Sequence, residues 1–207
     1  MLLFIRDLLF TGAIVSLITY IVCRRKPYLQ SRISAMLLLS ICTLIIYILT
    51  GITPRSGFHP SISPDSVQLI PFKGIRTVLY YGITVYAVEN ILGNIVMMMP
   101  IGFLMPLFFE KLRKWYNVGL IGAVLSVLIE CSQLFLSRGT DIDDVLLNLT
   151  GTLAGYIIWR IFWCKRIRMF EFAASDKGWN VLWLCALLIP YMTEIVLGFA
   201  DLLIQRM

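Results

Sequence analysis

The sequence predicts an all-α fold, a polytopic transmembrane helical bundle of about six spans with a polar cleft on its outer face. Three observations carry this. Hydrophobic residues make up 59% of the 207-residue chain and charged residues 14%, with a mean hydropathy of +0.84, far from the composition of soluble domains. Six apolar segments, at roughly 8–23, 33–51, 88–109, 118–137, 143–164 and 179–203, come near or exceed the about 20 residues that cross a bilayer. Residues 130–155 place Glu130, Gln133, Arg138, Asp141, Asp143, Asp144 and Asn148 at the junction of two apolar runs. Ionisable groups near membrane depth cost several kcal/mol unless they pair or line a wet cavity.

The first span follows Arg6 and ends in Cys-Arg-Arg-Lys without a small-x-small cleavage site, which suits a retained helix. The first two spans, within residues 1–51, carry Ser, Thr and Tyr but no central charge, and are expected to pack the bundle and set its topology. Residues 52–87 form the longest loop, rich in Pro and Gly at its start and continuing through Leu69-Ile70-Pro71-Phe72. Its second half mixes apolar and aromatic positions, and an interfacial or re-entrant helix is expected over 75–88.

Residues 88–164 hold three spans and the polar site. Span three begins with Glu89, Asn90 and Asn94; Pro100 and Pro106 favour kinks, and Gly93 and Gly102 are expected to allow close helix approach. Met97, Met98 and Met99 read as packing. Span four carries Glu130 and Gln133 on one helical face. Span five starts at an acidic first turn, suited to a helix N-terminus, and Asp144, Asn148, Gly151 or Thr152, and Gly155 recur at helical spacing as one stripe. Polar groups from three spans thus converge on one membrane face. Residues 165–207 supply a cytoplasmic loop and a C-terminal span with Pro190 and Glu194, the latter a further candidate for the cleft. Trp159, Trp163, Trp179 and Trp183 read as interfacial anchors.

Charge sets the orientation. Arg24, Arg25, Lys26, Arg32, Lys111, Arg113, Lys114, Arg160, Lys165, Arg166, Arg168 and Lys177 fall on one side, most of the 18 basic residues. Arg6, Arg55, Lys73, Arg76, Arg138 and Arg206 fall on the other. Positive residues are retained in the cytoplasm, so a multi-pass plasma-membrane protein with both termini outside is expected. The net charge of +6 follows from this bias and points to lipid headgroups as partners rather than nucleic acid. The five cysteines form no Cys-x-x-Cys pair and read as packing residues.

These residues resemble the VanZ-like family of small integral membrane proteins. The resemblance runs over residues 69–155, through Leu69-Ile70-Pro71-Phe72, Asn94-x-x-x-Met98-x-Pro100-x-Gly102, Glu130-x-x-Gln133, and Arg138-Gly-Thr-Asp141-x-x-Asp144-x-x-x-Asn148-x-x-Gly151-x-x-x-Gly155. It departs from the family pattern at Gln68, often Asn, and at Met98, often Phe. The resemblance implies a link to low-level resistance to teicoplanin, a lipid-tailed glycopeptide that acts at the outer membrane face.

Two functional readings stay open. In the first, Asn94, Glu130, Gln133, Arg138, Asp141, Asp144 and Asn148 bind a lipoglycopeptide, a polar lipid or a lipid-linked cell-wall precursor, with Arg138 as counter-charge to the carboxylates. In the second, an intramembrane enzyme uses Glu130 or Asp141 as acid or base and Arg138 as charge stabiliser. The only His is His59 in the long loop, and no Ser/His or Cys/His pair, zinc motif or phosphate loop is present. No cofactor and no metal site are expected, and the residue set favours binding. A transporter would call for an internal repeat, which the chain lacks.

The charge pattern generates a direct test. In intact cells a membrane-impermeant thiol reagent should label Ser56→Cys and leave Lys114→Cys unmodified. Labelling at position 114 alone would invert the topology and turn the polar face to the cytoplasm.

Overall fold

The computed structural model describes residues 2–53, 67–82, 84–136, 139–162 and 178–205. Seven α-helices occur among them: α1 (Leu2–Cys23), α2 (Leu29–Leu49), α3 (Lys73–Tyr81), α4 (Val85–Phe108), α5 (Trp115–Leu134), α6 (Ile142–Phe162) and α7 (Trp183–Gln205). All except the short α3 are long and apolar enough to cross a membrane, so the chain is an all-α, multi-pass membrane protein. The strands β1 (Val67–Gln68) and β2 (Thr140–Asp141) pair in parallel, Val67 beside Thr140 and Gln68 beside Asp141.

In hydrocarbon every polar backbone group must be met within the chain, which favours helices. Several side-chain hydroxyls inside the spans follow the same rule by donating one turn back: Thr43 to the Leu39 carbonyl at 2.8 Å, Ser132 to Leu128 at 2.7 Å and Thr152 to Asn148 at 3.0 Å. Large apolar side chains such as Leu17, Val96, Leu120, Ile161 and Leu203 remain exposed on the bundle exterior, where a bilayer covers them. The spans therefore hold apolar residues on both faces, and polarity marks the exceptions.

Alternating helices bring the starts of α1, α4 and α6 and the ends of α2, α5 and α7 to one end of the bundle. Contacts between distant residues fix this. Arg6 Nη1 and Nη2 donate to the two Asp201 carboxylate oxygens at 2.6 and 2.9 Å, joining α1 to α7. Gln133 Nε2 donates to the Thr50 carbonyl at 3.0 Å, joining α5 to α2. Tyr191 and Ser132 share a 2.9 Å hydrogen bond between α7 and α5. At the far end, Trp179 Nε1 donates to the Phe108 carbonyl at 2.8 Å, its ring stacks on Phe109 with centroids 5.2 Å apart, and the Arg32 guanidinium lies 5.1 Å from its centroid.

Several expectations shift. The first span starts at Leu2 rather than residue 8, because Asp7 and Asp201 take up the charge of Arg6 within the helix pair. Trp179–Val181 form a 3-10 turn, so the last span starts at Trp183. Trp159 and Trp179 are buried rather than interfacial anchors, since their rings fill the far end of the core. Arg32 is a buried residue of the first turn of α2 rather than a loop charge. The helix expected over 75–88 occupies Lys73–Tyr81, and α4 starts anew at Val85, where the Thr84 hydroxyl accepts the Ala87 amide at 3.2 Å. Trp163 and Cys164 lie outside the described residues.

The closest helix pair is α4 against α6. A Cβ placed at Gly151 would overlap the Ile95 carbonyl, one at Gly155 the Met99 carbonyl, and one at Gly102 the Thr152 carbonyl. The matching order of these contacts shows that the two helices run parallel, in the manner of small-xxx-small membrane pairs. From the α5 side, a Cβ at Gly122 would lie 2.6 Å from Thr152 Oγ1. Gly93, in contrast to the expectation of close approach, has nothing within 4 Å of an added Cβ. The two helices touch backbone to backbone along their middle, and nearer the bundle end Asp144 of α6 still bonds Asn90 and Asn94 of α4.

Gly102→Ala and Gly155→Ala should each lower stability by roughly 1–3 kcal/mol, the usual cost of overpacking. Gly93→Ala should match the wild type. Thermal unfolding of the purified variants in detergent reads this, and a Gly93→Ala variant as unstable as Gly155→Ala would contradict the open space described beside Gly93.

Candidate functional site

At the bundle end that gathers the starts of α4 and α6 and the ends of α2 and α5, a cleft of about 490 Å³ opens among these four helices. Five residues singled out in the sequence line it: Asn94, Glu130, Gln133, Asp144 and Asn148. They come from α4, α5 and α6. Glu89, Asn90 and Gly93 extend the α4 wall toward the bundle end.

Each side chain is held by a specific partner. Asp144 Oδ1 accepts Asn94 Nδ2 at 2.9 Å and Asn90 Nδ2 at 3.3 Å, tying the first turn of α6 to α4. Asn148 Nδ2 donates to Ser126 Oγ at 2.9 Å, so the deeper turn of α6 is tied to α5. Glu130, buried at the end of α5, accepts the Asp141 amide on Oε2 at 3.1 Å, and Thr140 Oγ1 donates to the Glu130 carbonyl at 3.1 Å. The strand before α6 is thereby strapped to the end of α5. Among the described residues no cation stands in ion-pair distance of Glu130, Asp141 or Asp144. Arg138, the counter-charge expected from sequence, lies outside the described residues.

Adjacent acids in the α6 N-terminal turn do different work. Asp141 is absent from the cleft lining; its Oδ1 accepts the Asp143 amide at 2.9 Å and so closes the first turn. Asp143 is buried and faces α3, where its carboxylate accepts the amides of Phe72 and, at 2.8 Å, of Gly74. Asp144, one residue further around the helix, faces the cleft. The Leu-Ile-Pro-Phe segment gains a physical reading from this. Phe72 takes a left-handed conformation with φ 63°, uncommon for a bulky residue, and turns its amide onto Asp143. A Cβ at Gly74 would come within 3.1 Å of Asp143 Oδ2, so a side chain there would crowd the same carboxylate. Helix α3 thus docks through its N-terminus, with Leu79 and Tyr80 exposed.

Sequence reasoning missed the contribution of α2. Leu49 and Thr50 line the cleft, and the Thr50 carbonyl holds Gln133; neither carries charge, so nothing local singles them out. Met97 and Ile129 add apolar lining. Glu194 is buried in α7 and absent from the lining, away from the cleft it was a candidate to join. The expected single stripe on α6 divides in two: Asp144 and Asn148 face the cleft, while Gly151 and Gly155 receive the backbone of α4. No group of three or more His, Cys, Asp or Glu side chains fit to hold a metal ion occurs among the described residues.

A cleft of this kind offers room and partners for a polar group at the end of the bundle. Its carboxylates and amides offer hydrogen bonds, and Leu49, two-thirds exposed, supplies an apolar lip.

Compared with known proteins, the chain matches the family model described as VanZ/LLP1 over residues 33–163, more than half its length. The chain belongs to the VanZ/LLP1 family. The match starts within α2 and ends after α6, so it takes in the α2 wall of the cleft that the resemblance over 69–155 left out. No curated protein and no solved structure matches the chain.

Asp143→Ala should free the α3 N-terminus at a cost of about 0.5–2 kcal/mol, the range for a lost helix cap. Hydrogen exchange should then rise over residues 73–81 while α4 and α6 stay protected. Unchanged exchange in α3 would show that its docking does not depend on this carboxylate.

Proposed function

We propose that this VanZ/LLP1-family membrane protein holds the polar group of an amphiphile in its cleft at the outer face of the plasma membrane. The amphiphile is a lipid-tailed glycopeptide or a polar lipid or cell-wall precursor, and holding it lowers sensitivity to teicoplanin-type antibiotics. One observation carries the reading: Asn94, Glu130, Gln133, Asp144 and Asn148, from three helices, meet in one cleft at the end of a mostly apolar bundle. Clefts with a few convergent polar groups are the usual form of small-molecule sites.

The lining adds to this. Leu49 is exposed beside the polar wall, and Leu92 and Val96 on α4 are exposed below it. A ligand with a polar head in the cleft keeps its apolar tail against these side chains and the surrounding lipid. Catalysis by a Glu130 and Asp141 pair draws less support, because the Asp141 carboxylate is engaged in closing the first turn of α6. A binding role asks only that the carboxylates be held in place.

Expressed in a susceptible Gram-positive host, the wild type should raise the inhibitory concentration of teicoplanin more than that of vancomycin, which lacks the lipid tail. Glu130→Gln, Asp144→Asn and Asn94→Ala should each remove most of that rise at unchanged membrane abundance. Met98→Leu and Cys185→Ser, both outside the cleft lining, should keep it. Protection that survives all three cleft substitutions would reduce the polar cluster to helix packing.

A further inference from the structure

The hydrogen-bonding inventory of the cleft specifies the kind of group it takes. Each side-chain amide nitrogen around it is already engaged within the protein. Asn90 and Asn94 donate to Asp144, Gln133 donates to the Thr50 carbonyl, and Asn148 donates to Ser126. Among the described residues every charged group that lines the cavity is a carboxylate acceptor. Glu89, Glu130 and Asp144 contribute carboxylates to the lining. Asn148, only 1% exposed, also lines it, and its Oδ1 has no hydrogen-bond partner. A buried acceptor left unmet is costly, and this one belongs to a residue that lines the cavity a ligand would fill.

We infer that the cleft selects a primary ammonium group, carried by an amphiphile, with Glu130 and Asp144 supplying the charge and Asn148 Oδ1 a buried acceptor. An ammonium brings three donors and no acceptor, the complement of this lining. A hydroxyl-rich head would leave the charge of the carboxylates unmatched. A phosphate or carboxylate group would meet like charge from the carboxylates among the described residues. A quaternary ammonium matches the charge but leaves Asn148 unmet. The inference rests on the amphiphile-binding reading above and narrows it to one head chemistry. The ammonium belongs either to a lipid headgroup or to a lipid-tailed glycopeptide, and both present the same three donors.

The test uses the purified full-length protein in detergent and three short-chain probes that differ only at nitrogen: phosphatidylethanolamine, N-acetylphosphatidylethanolamine and phosphatidylcholine. Binding measured by native mass spectrometry should favour phosphatidylethanolamine by about ten-fold or more over both others, the factor expected when a buried acceptor goes unmet. A second arm compares a lipid-tailed glycopeptide before and after acetylation of its amine. Preference in the first arm alone assigns the ammonium to a lipid headgroup, and preference in the second alone assigns it to the antibiotic. Asp144→Asn should shrink the preference for the free amine, whereas loss of fold would weaken all probes equally. Equal affinity for free and acetylated amines in both arms, or no binding in either, overturns the ammonium inference. The amphiphile reading is judged separately by the resistance assay, and survives if cleft substitutions still abolish protection there.

Discussion

The backbone contact between α4 and α6 is the constraint on which the rest of this protein depends. Lipid gives helices little hydrophobic reason to associate, so contact surface must do it. Gly102, Gly151 and Gly155 remove the side chains that would keep the two backbones apart. With the middle of the pair locked, Asp144 of α6 reaches Asn90 and Asn94 of α4, and Gly93 faces open space. The pair thus forms one side of the cleft, and α5 and the end of α2 supply the rest. A bulkier residue at the lock would move the Asp144 carboxylate as well as the helix.

Around this pair the other helices act as walls and braces. Helix α5 carries Glu130 into the cleft and holds Asn148 through Ser126. Helix α2 closes the remaining side, with Thr50 accepting Gln133. Helices α1 and α7 stand outside the family match, and they brace α2 and α5 from behind. Tyr47 donates to the Leu187 carbonyl at 3.1 Å, Tyr191 meets Ser132, and Arg6 clasps Asp201 in a two-pronged ion pair. That ion pair is partly buried, where breaking one partner costs more than the pair itself contributes.

Much of this is legible in the sequence, for a physical reason. In a chain where lipid-facing and core-facing positions are both apolar, a polar residue inside a span stands out, which is how Asn94, Glu130, Gln133, Asp144 and Asn148 declare themselves. Six spans are legible by length and hydropathy for the same reason. What the sequence hides depends on contacts between distant segments. Adjacent acids in one helical turn point in different directions, and only the position of α3 separates Asp143, which holds its N-terminus, from Asp144 in the cleft. Leu49 and Thr50 are uncharged, and Thr50 contributes a backbone carbonyl that every residue has. Trp159 and Trp179 have the composition of interfacial anchors, yet the shape of the far end of the core buries them.

The central claim is that a water-accessible cleft opens beside the paired starts of α4 and α6, and thiol accessibility tests it most directly. In a cysteine-free background reconstituted into nanodiscs, where both faces meet solvent, Gly93→Cys should react rapidly with a charged, membrane-impermeant reagent. Val96→Cys, on the exposed apolar face of α4, should react far more slowly because lipid covers it. The ligand proposed for the cleft should slow the reaction at position 93 and leave position 96 unchanged. Equal, slow rates at both positions would mean that no wet cleft exists beside α4.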